Sequence, residues 1–123
     1  MVDPISDMLT RIRNAQAVGH KTVIFPFSKI KFDLANIFSK QGYLGAVNKK
    51  GRGVKREIEV VLKPIQGLKR LSKPGLRIYA NKRELNKFFK EKGVTVLSTS
   101  QGLMSIQNAK KKNIGGEVIC RIW

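Results

Sequence analysis

Apolar residues near the start of the chain recur three or four positions apart, which is the spacing of one face of a helix. This pattern predicts a helix with Asp3 as its N-cap and Pro4 in its first turn, ended by Gly19. A second helix is predicted between Ser28, its cap, and Gly42. The predicted core stripes are Ile5, Met8, Leu9, Ile12 and Ala15 in the first helix and Ile30, Leu34, Ile37 and Phe38 in the second.

Alternation of apolar and polar residues predicts three strands around these helices. Residues 22–27 lie between the helices, residues 43–47 follow the second helix, and residues 57–63 alternate most cleanly. Residues 48–55 form a Gly-rich basic loop between the last two strands, which together read as a hairpin. The basic residues noted in this loop are Lys49, Lys50 and Arg52.

The second half of the chain is dominated by short strands. Lys73–Leu76 has Pro and Gly at its two central positions, as in a type II turn, between strands at 65–71 and 76–80. Asn81 is predicted to cap a helix ended by Gly93. The residues predicted to face the core here are Leu76, Ile78, Ala80, Leu85, Phe88 and Phe89. The remaining predictions are a buried strand at 94–97, a polar loop at 98–102, a short helix capped by Ser105 and ended by 110–112, and a last strand at 117–123.

The order of these elements predicts an α+β fold of two small halves. Residues 1–63 form an N-terminal α-β-α-β-β half, and residues 64–123 form a C-terminal half that is mostly β with short helices. The boundary is placed at Pro64, which closes the hairpin.

Charge is the strongest compositional signal. Twenty-five Lys and Arg against eight Asp and Glu give a net charge of +17, which favours a polyanionic partner. Nucleic acid is the preferred partner over an anionic membrane or simple solubility, because the charge runs through segments predicted to fold. No apolar run approaches the ~20 residues of a membrane span, and no secretory signal is recognised. The single Cys120 excludes an intramolecular disulfide and fits a reducing compartment.

Three groups of residues are candidates for nucleic-acid contact. Arg77 and Tyr79 share a strand face, where a ring can stack on a base and a guanidinium can meet phosphate. Lys73 lies in the turn before them, and Lys29 and Lys31 lie in a first helical turn, where cations oppose the helix dipole. The alternatives are that Tyr79 packs against a neighbouring strand and that the lysines are simply solvated.

The third candidate group is the segment Ser98, Thr99, Ser100, Gln101 and Gly102. Its hydroxyls can bond base edges and 2′-hydroxyls, and its glycine allows close backbone approach. An ordinary polar turn is the alternative reading. A serine nucleophile is a third reading, but the base it needs is missing, since the only histidine lies at the far end of the chain.

Other catalytic and metal sites are not supported by the sequence. One cysteine and one histidine cannot build a common zinc site. Gly51-Arg52-Gly53 lacks the spacing of a phosphate-binding Walker loop, and Glu57 and Glu59 form the polar face of a strand. The sequence therefore predicts a protein that is not an enzyme and needs no cofactor.

Three motifs together resemble the small-subunit ribosomal protein S-eight family over the whole chain. They are the N-terminal Asp3-Pro4-Ile5-Ser6-Asp7-Met8-Leu9-Thr10-Arg11-Ile12-Arg13-Asn14, the turn Lys73-Pro74-Gly75-Leu76-Arg77-Ile78-Tyr79, and a C-terminal signature. The C-terminal signature comprises Ser98-Thr99-Ser100-Gln101-Gly102-Leu103-Met104-Ser105, Ala109, Gly115-Gly116-Glu117-Val118-Ile119-Cys120 and Trp123.

The resemblance implies a cytoplasmic assembly protein on the small ribosomal subunit, bacterial or organellar. It implies direct binding to a helical region of the central domain of small-subunit ribosomal RNA, contacts with neighbouring ribosomal proteins, and in some bacteria repression of its own messenger RNA. The RNA contacts that it implies are Ser98, Thr99, Ser100 and Gly102 in the hydroxyl loop, Tyr79 as the stacking ring, and Gly115, Gly116 and Glu117, with Lys29 and Lys31 on phosphate.

The chain departs from the family pattern at several positions. Gln101 stands where the family usually has Lys or Arg, which puts one phosphate contact in doubt, and Lys73 stands where Arg is common. Ser105 replaces Thr, and Ile106-Gln107-Asn108 replaces a helix start usually rich in acidic residues. Two rivals remain: a DNA-binding protein, which needs a recognition helix or β-ribbon arm, and a small hydrolase, which needs a base beside its serine.

Overall fold

The computed structural model describes residues 3–89 and 92–123 and divides into two compact units, Met1–Ile65 and Gln66–Trp123. Within the described residues, four α-helices and two antiparallel sheets confirm the α+β fold. No helix in the described ranges has the length and apolar character required to cross a membrane.

Unit 1 is a three-stranded antiparallel sheet with two helices. Its strand order is β1-β3-β2. The Asp3 carboxylate caps the first helix by accepting from the Ile5 amide at 3.1 Å, and all five predicted core residues of that helix are buried. The elements are α1 Pro4–Ala17, β1 Thr22–Pro26, α2 Lys29–Lys40, β2 Leu44–Lys50, a 3₁₀ turn Gly53–Lys55 and β3 Glu57–Leu62.

The predicted core stripe of α2 was wrong at its first position. Ile30 is 38% exposed, whereas Lys31 is only 7% exposed. The buried face of α2 consists of Lys31, Leu34, Ala35 and Phe38. These residues have the regular spacing of one helix face, but the face begins at position 31 and not at position 30 as predicted. Lys31 lies on this face with its Nζ 5.9 Å from the centre of the Phe25 ring, so its aliphatic stem is packed rather than solvated.

The basic loop of unit 1 is shorter than predicted, because β2 continues to Lys50. Lys49 Nζ lies 5.5 Å and 5.3 Å from the centres of the Phe27 and Phe32 rings. Lys50 Nζ pairs with Glu59 Oε1 at 3.0 Å. Two aromatic rings and one cross-strand ion pair therefore order two lysines that the sequence placed in a loop.

Unit 2 is a five-stranded sheet covered on one face by two short helices. The order is β4-β8-β6-β7, with β5 also paired to β8, and every pairing is antiparallel. The elements are β4 Leu68–Arg70, β5 Tyr79–Ala80, α3 Leu85–Phe89, β6 Val94–Thr99, β7 Gly102–Ser105, α4 Ile106–Lys112 and β8 Gly116–Ile122. The core between sheet and helices contains Ala80, Leu85, Leu97, Met104, Ile106, Ala109 and Val118.

Several predictions for unit 2 need correction. Lys73 and Leu76 exchange backbone hydrogen bonds at 2.9 Å, so the turn exists, but Gly75 lacks the positive φ that a type II turn requires. Leu76 is 67% exposed rather than in the core, and the strand predicted at 76–80 is reduced to Tyr79–Ala80. Phe89 is 42% exposed and lies under Lys110 Nζ, 4.2 Å away, rather than in the core.

The helix predicted after Asn81 is also shorter than expected. The Asn81 side chain accepts from the amides of Arg83 and Glu84 at 3.0 Å, which closes a turn, and α3 begins only at Leu85. Lys90 and Glu91 fall outside the described residues, so the predicted end of this helix at Gly93 has no direct counterpart here.

Candidate nucleic-acid interface

A row of three side chains crosses the sheet of unit 2 on its open face. Tyr79 of β5 is paired with Glu117 of β8, and Glu117 is in turn paired with Ser98 of β6. Residues directly opposite each other on antiparallel strands point to the same face. The sequence separates these residues widely, and the sheet brings them together.

The open character of this row follows from its neighbours on the same strands. Ala80, Val118 and Leu97 are next along the three strands and belong to the buried core. Because successive residues of a strand point to opposite faces, Tyr79, Glu117 and Ser98 point away from that core. Tyr79 is 66% exposed, so its ring is available to a ligand. The alternative, that Tyr79 packs against a neighbouring strand, does not hold.

Glu117, the middle residue of the row, is also the centre of a small hydrogen-bonded network. Its Oε2 accepts from Ser72 Oγ at 2.5 Å and from Arg77 Nη1 at 3.0 Å, and Ser72 Oγ accepts from the Ile78 amide at 3.0 Å. Burial raises the pKa of the Glu117 carboxyl, but the hydrogen bonds from Ser72 and Arg77 and the charges of Arg77 and Arg70 outweigh burial. The pKa of Glu117 therefore lies below its ordinary value.

Glu117→Gln is expected to lower the free energy of unfolding near neutral pH and to have little effect in acid. A carboxyl with a lowered folded-state pKa stabilises the fold above its unfolded pKa, and this contribution is lost as the pH falls through the folded value. Urea unfolding at about pH 7 and about pH 3 would measure the difference. Glu57→Gln, at an exposed position, is the control. An equal deficit of Glu117→Gln at both pH values would contradict the network's role.

The hydroxyl segment is a tight hairpin turn rather than a loop. Thr99 and Gly102 are paired at the ends of β6 and β7, and only Ser100 and Gln101 lie between them. Gly102 has a φ of +101°, a conformation that glycine adopts without strain and that closes the turn. We call the four residues Thr99–Gly102 the hairpin tip.

The three hydroxyls of the segment have different roles in the structure. Thr99 Oγ1 donates to the Gly102 carbonyl at 2.9 Å and accepts from the Gln101 amide at 3.1 Å, so it is occupied within the turn. Across residues 3–89 and 92–123, the hydroxyls of Ser98 and Ser100 make no hydrogen bond. Ser98 and Ser100 are therefore the members of the triplet left to bind a ligand.

Gly115 and Gly116 are required by chain packing. A Cβ on Gly115 would lie 2.2 Å from the Ala80 carbonyl oxygen, and a Cβ on Gly116 would lie 2.2 Å from the Ser98 carbonyl oxygen. Both glycines therefore let β8 approach the strands that carry Tyr79 and Ser98. They also line a shallow groove of about 380 Å³ beside Tyr79, Asn81 and Lys82.

The basic candidates are distributed over both units. In unit 2, Lys73 is exposed in its turn, and Arg77 is exposed and bonded to Glu117. In unit 1, the Lys29 side chain is 86% exposed and its Nζ lies 3.8 Å from Asp33, whereas Lys31 is buried. Lys29 is thus accessible to phosphate, and Lys31 is covered by its own unit.

Sequence reasoning missed two residues that contact members of this surface. Ser72 is fully buried and donates a hydrogen bond to the Glu117 carboxylate. The only feature of the sequence that could have indicated this role is the position of Ser72 just before the turn motif. Lys112 Nζ donates to Gln101 Oε1 at 3.2 Å, whereas the sequence indicated only that Lys112 lies at the end of a short helix. Both contacts join residues that are far from adjacent, so local patterns could not reveal them.

No metal centre is assembled in the described ranges. They contain no group of three or more His, Cys, Asp or Glu placed to hold a metal ion. Burial raises the pKa of the Cys120 thiol to about 12, so the thiol stays protonated and unreactive. A basic α+β chain with an exposed polar and aromatic row is typical of nucleic-acid-binding proteins.

Comparison with known proteins identifies the family. The family model described as Ribosomal protein S8 matches residues 3–123. The protein named small ribosomal subunit protein uS8 is 48% identical in Hydrogenovibrio crunogenus, over 99% of this chain and 98% of that protein. The Clostridium beijerinckii protein of the same name is 45% identical, over 100% of this chain and 98% of that protein. The Prochlorococcus marinus protein is also 45% identical, over 98% of this chain and 97% of that protein.

The chain therefore belongs to the ribosomal protein S8 family, and the resemblance seen in its three motifs is confirmed. The family consists of small-subunit ribosomal proteins, which are structural components of the ribosome and not enzymes. Membership also removes the hydrolase alternative for the Ser98–Ser100 segment.

Proposed function

We propose that this protein binds small-subunit ribosomal RNA directly, through the exposed row and the hairpin tip of unit 2. The observation that carries the proposal is the register that aligns Tyr79, Glu117 and Ser98 on the open face. An aromatic ring beside free hydroxyls suits unstacked bases and 2′-hydroxyls, which are the features by which proteins recognise folded RNA. A net charge of +17 supplies attraction to phosphate.

Each candidate residue has a role in this proposal. Tyr79 stacks on a base, and Ser98 and Ser100 bond base edges or 2′-hydroxyls. Thr99 holds the turn in shape, and Glu117 positions Arg77. Lys73, Arg77 and Lys29 contact phosphate, while Gly102, Gly115 and Gly116 allow close approach of strands and RNA. Lys31 is not assigned to phosphate, because its side chain is packed in unit 1.

The target that best fits the family is a helical region of the central domain of small-subunit ribosomal RNA. Binding there would make the protein an assembly factor for the cytoplasmic subunit, in contact with neighbouring ribosomal proteins. A fold of similar shape in its own messenger RNA would be bound by the same row, which gives a second role as translational repressor. Titration with both RNAs compares the two roles directly.

Tyr79→Ala is expected to weaken binding to a transcript of that central domain by about 1–3 kcal/mol, the value of one base–aromatic stack. The melting temperature should hardly change, because the ring is 66% exposed and buries little surface. Tyr79→Phe keeps the ring and should bind almost as well as the unchanged protein. Filter binding and thermal melting of the three proteins measure both effects.

An unrelated RNA hairpin of equal length is the reference ligand for the same titrations. Affinity for both RNAs should fall with salt, with the slope of log affinity against log salt steepening by roughly 0.7 to 0.9 for each neutralised phosphate. Preference for the central-domain transcript should persist at every salt concentration. Equal affinity for the two RNAs throughout would refute the proposed function.

A further inference from the structure

The hairpin tip is held by hydrogen bonds within its four residues and by one contact from outside them. Thr99 fixes the turn from within, through its two hydrogen bonds. Gln101 Oε1 accepts from Lys112 Nζ at 3.2 Å, which ties the tip to the end of α4. Ser100 is left as the exposed tip residue with an unoccupied hydroxyl, within the part of the chain that the structure describes.

The end of α4 fixes the place from which Lys112 reaches the tip. Asn113 has a φ of 57°, the left-handed conformation that ends helices, and its amide closes the last turn of α4. Lys112 is therefore the last helical residue, and Gln101 is the residue that its ammonium contacts. An ammonium has three donors, so two remain after the bond to Gln101.

The three consecutive lysines at this helix end differ in what they contact. Lys110 Nζ is over the Phe89 ring at 4.2 Å, and Lys112 Nζ is on Gln101. Lys111 makes no ion pair or hydrogen bond with any described residue. Lys111 and Lys112 thus carry the same charge on the same helical turn, but of the two only Lys112 is bonded to a residue of the tip.

We propose that Lys112 is the phosphate-binding cation of the hairpin tip, held in place by Gln101 and contacting the RNA backbone beside the bases that Ser98 and Ser100 bind. The proposal rests on the proposed function. An ammonium already ordered at its site loses less freedom on binding than a solvated lysine, so it should contribute more affinity. A neutral glutamine at position 101 then serves to position a cation supplied by α4.

The test compares Lys112→Ala with Lys111→Ala in the full chain. Lys112→Ala is expected to lower affinity for the central-domain transcript about tenfold, as for a lost charge-assisted hydrogen bond. It should also flatten the slope of log affinity against log salt by about 0.7 to 0.9. Lys111→Ala should change affinity only a few-fold. Lys112→Ala combined with Gln101→Lys, which puts an ammonium back at the tip, should recover most of the slope.

The outcomes separate this proposal from the proposed function. Equal effects of Lys111→Ala and Lys112→Ala on affinity would overturn the role of Lys112, because the end of α4 would then attract RNA only through its total charge. The proposed function would still be tested separately by Tyr79→Ala. Loss of affinity with an unchanged salt slope would also overturn the role of Lys112, because Lys112 would then act only on the shape of the turn. Failure of the unchanged protein to prefer the transcript would overturn both proposals together. Circular dichroism of each variant verifies that the fold is retained.

Discussion

Replacing Ser98 and Ser100 together by alanine is expected to remove most of the preference for the central-domain transcript. Each hydrogen bond lost to an otherwise buried RNA group should weaken binding by about 1–3 kcal/mol. The variant should melt like the unchanged protein, since neither hydroxyl bonds to another group in the described ranges. Titration of both proteins with the transcript and with the unrelated hairpin, at one salt concentration, measures the effect.

Two control variants make this result specific. Arg52→Ala with Lys55→Ala removes two exposed charges from unit 1 and should weaken binding to both RNAs by similar factors, because phosphate contacts carry no sequence information. Thr99→Ala should instead alter the turn, because its hydroxyl bridges Gln101 and Gly102. A loss of equal size on both RNAs for the serine pair would show that these hydroxyls do not recognise the target.

Gly116→Ala is expected to lower the stability of unit 2 strongly. The new Cβ would lie 2.2 Å from the Ser98 carbonyl oxygen, so backbone rather than a movable side chain must shift. Overpacking of this kind should lower the free energy of unfolding by about 3 kcal/mol, the upper end of its usual range. Urea unfolding at neutral pH measures the loss, and RNA binding should fall with the folded fraction.

Gly75→Ala provides the matched comparison within the same unit. Nothing lies within 4 Å of a Cβ at Gly75, and its φ is not in the left-handed region, so alanine should be accepted. The expected change is neutral, or stabilising by about 0.4–1 kcal/mol through the unfolded chain. Unchanged stability of Gly116→Ala combined with lost RNA binding would show that this glycine serves the RNA rather than the sheet.

Local patterns in the sequence were sufficient for the first helix, the hairpin of unit 1 and the class of partner. The spacing of Ile5, Met8, Leu9 and Ile12, with Asp3 as cap, depends only on residues within a few turns of one another. Net charge is a sum over the chain and needs no structure at all. Family membership likewise follows from motifs that are each contiguous, so it could be recognised before the fold was known.

Interactions between distant residues decided what those patterns left open. Whether Ile30 or Lys31 is buried depends on which face of α2 meets the sheet, and a shift of one position exchanges them. Lys49 and Lys50 are ordered by Phe27, Phe32 and Glu59, which lie elsewhere in the sequence of unit 1. Propensity along one segment contains no information about such partners.

The candidate interface shows this division most clearly. The sequence by itself identified Tyr79 and the hydroxyl triplet as separate candidates, because their residue types suit RNA, and the family resemblance added Glu117. Only the tertiary structure placed Tyr79 and Ser98 on either side of Glu117, bound Arg77 to a carboxylate 40 positions away, and turned Thr99 inward. Strand register sets these neighbours, and it is fixed by burial of Leu97, Val118 and Ala80 against the helices, a property of the whole unit rather than of any segment.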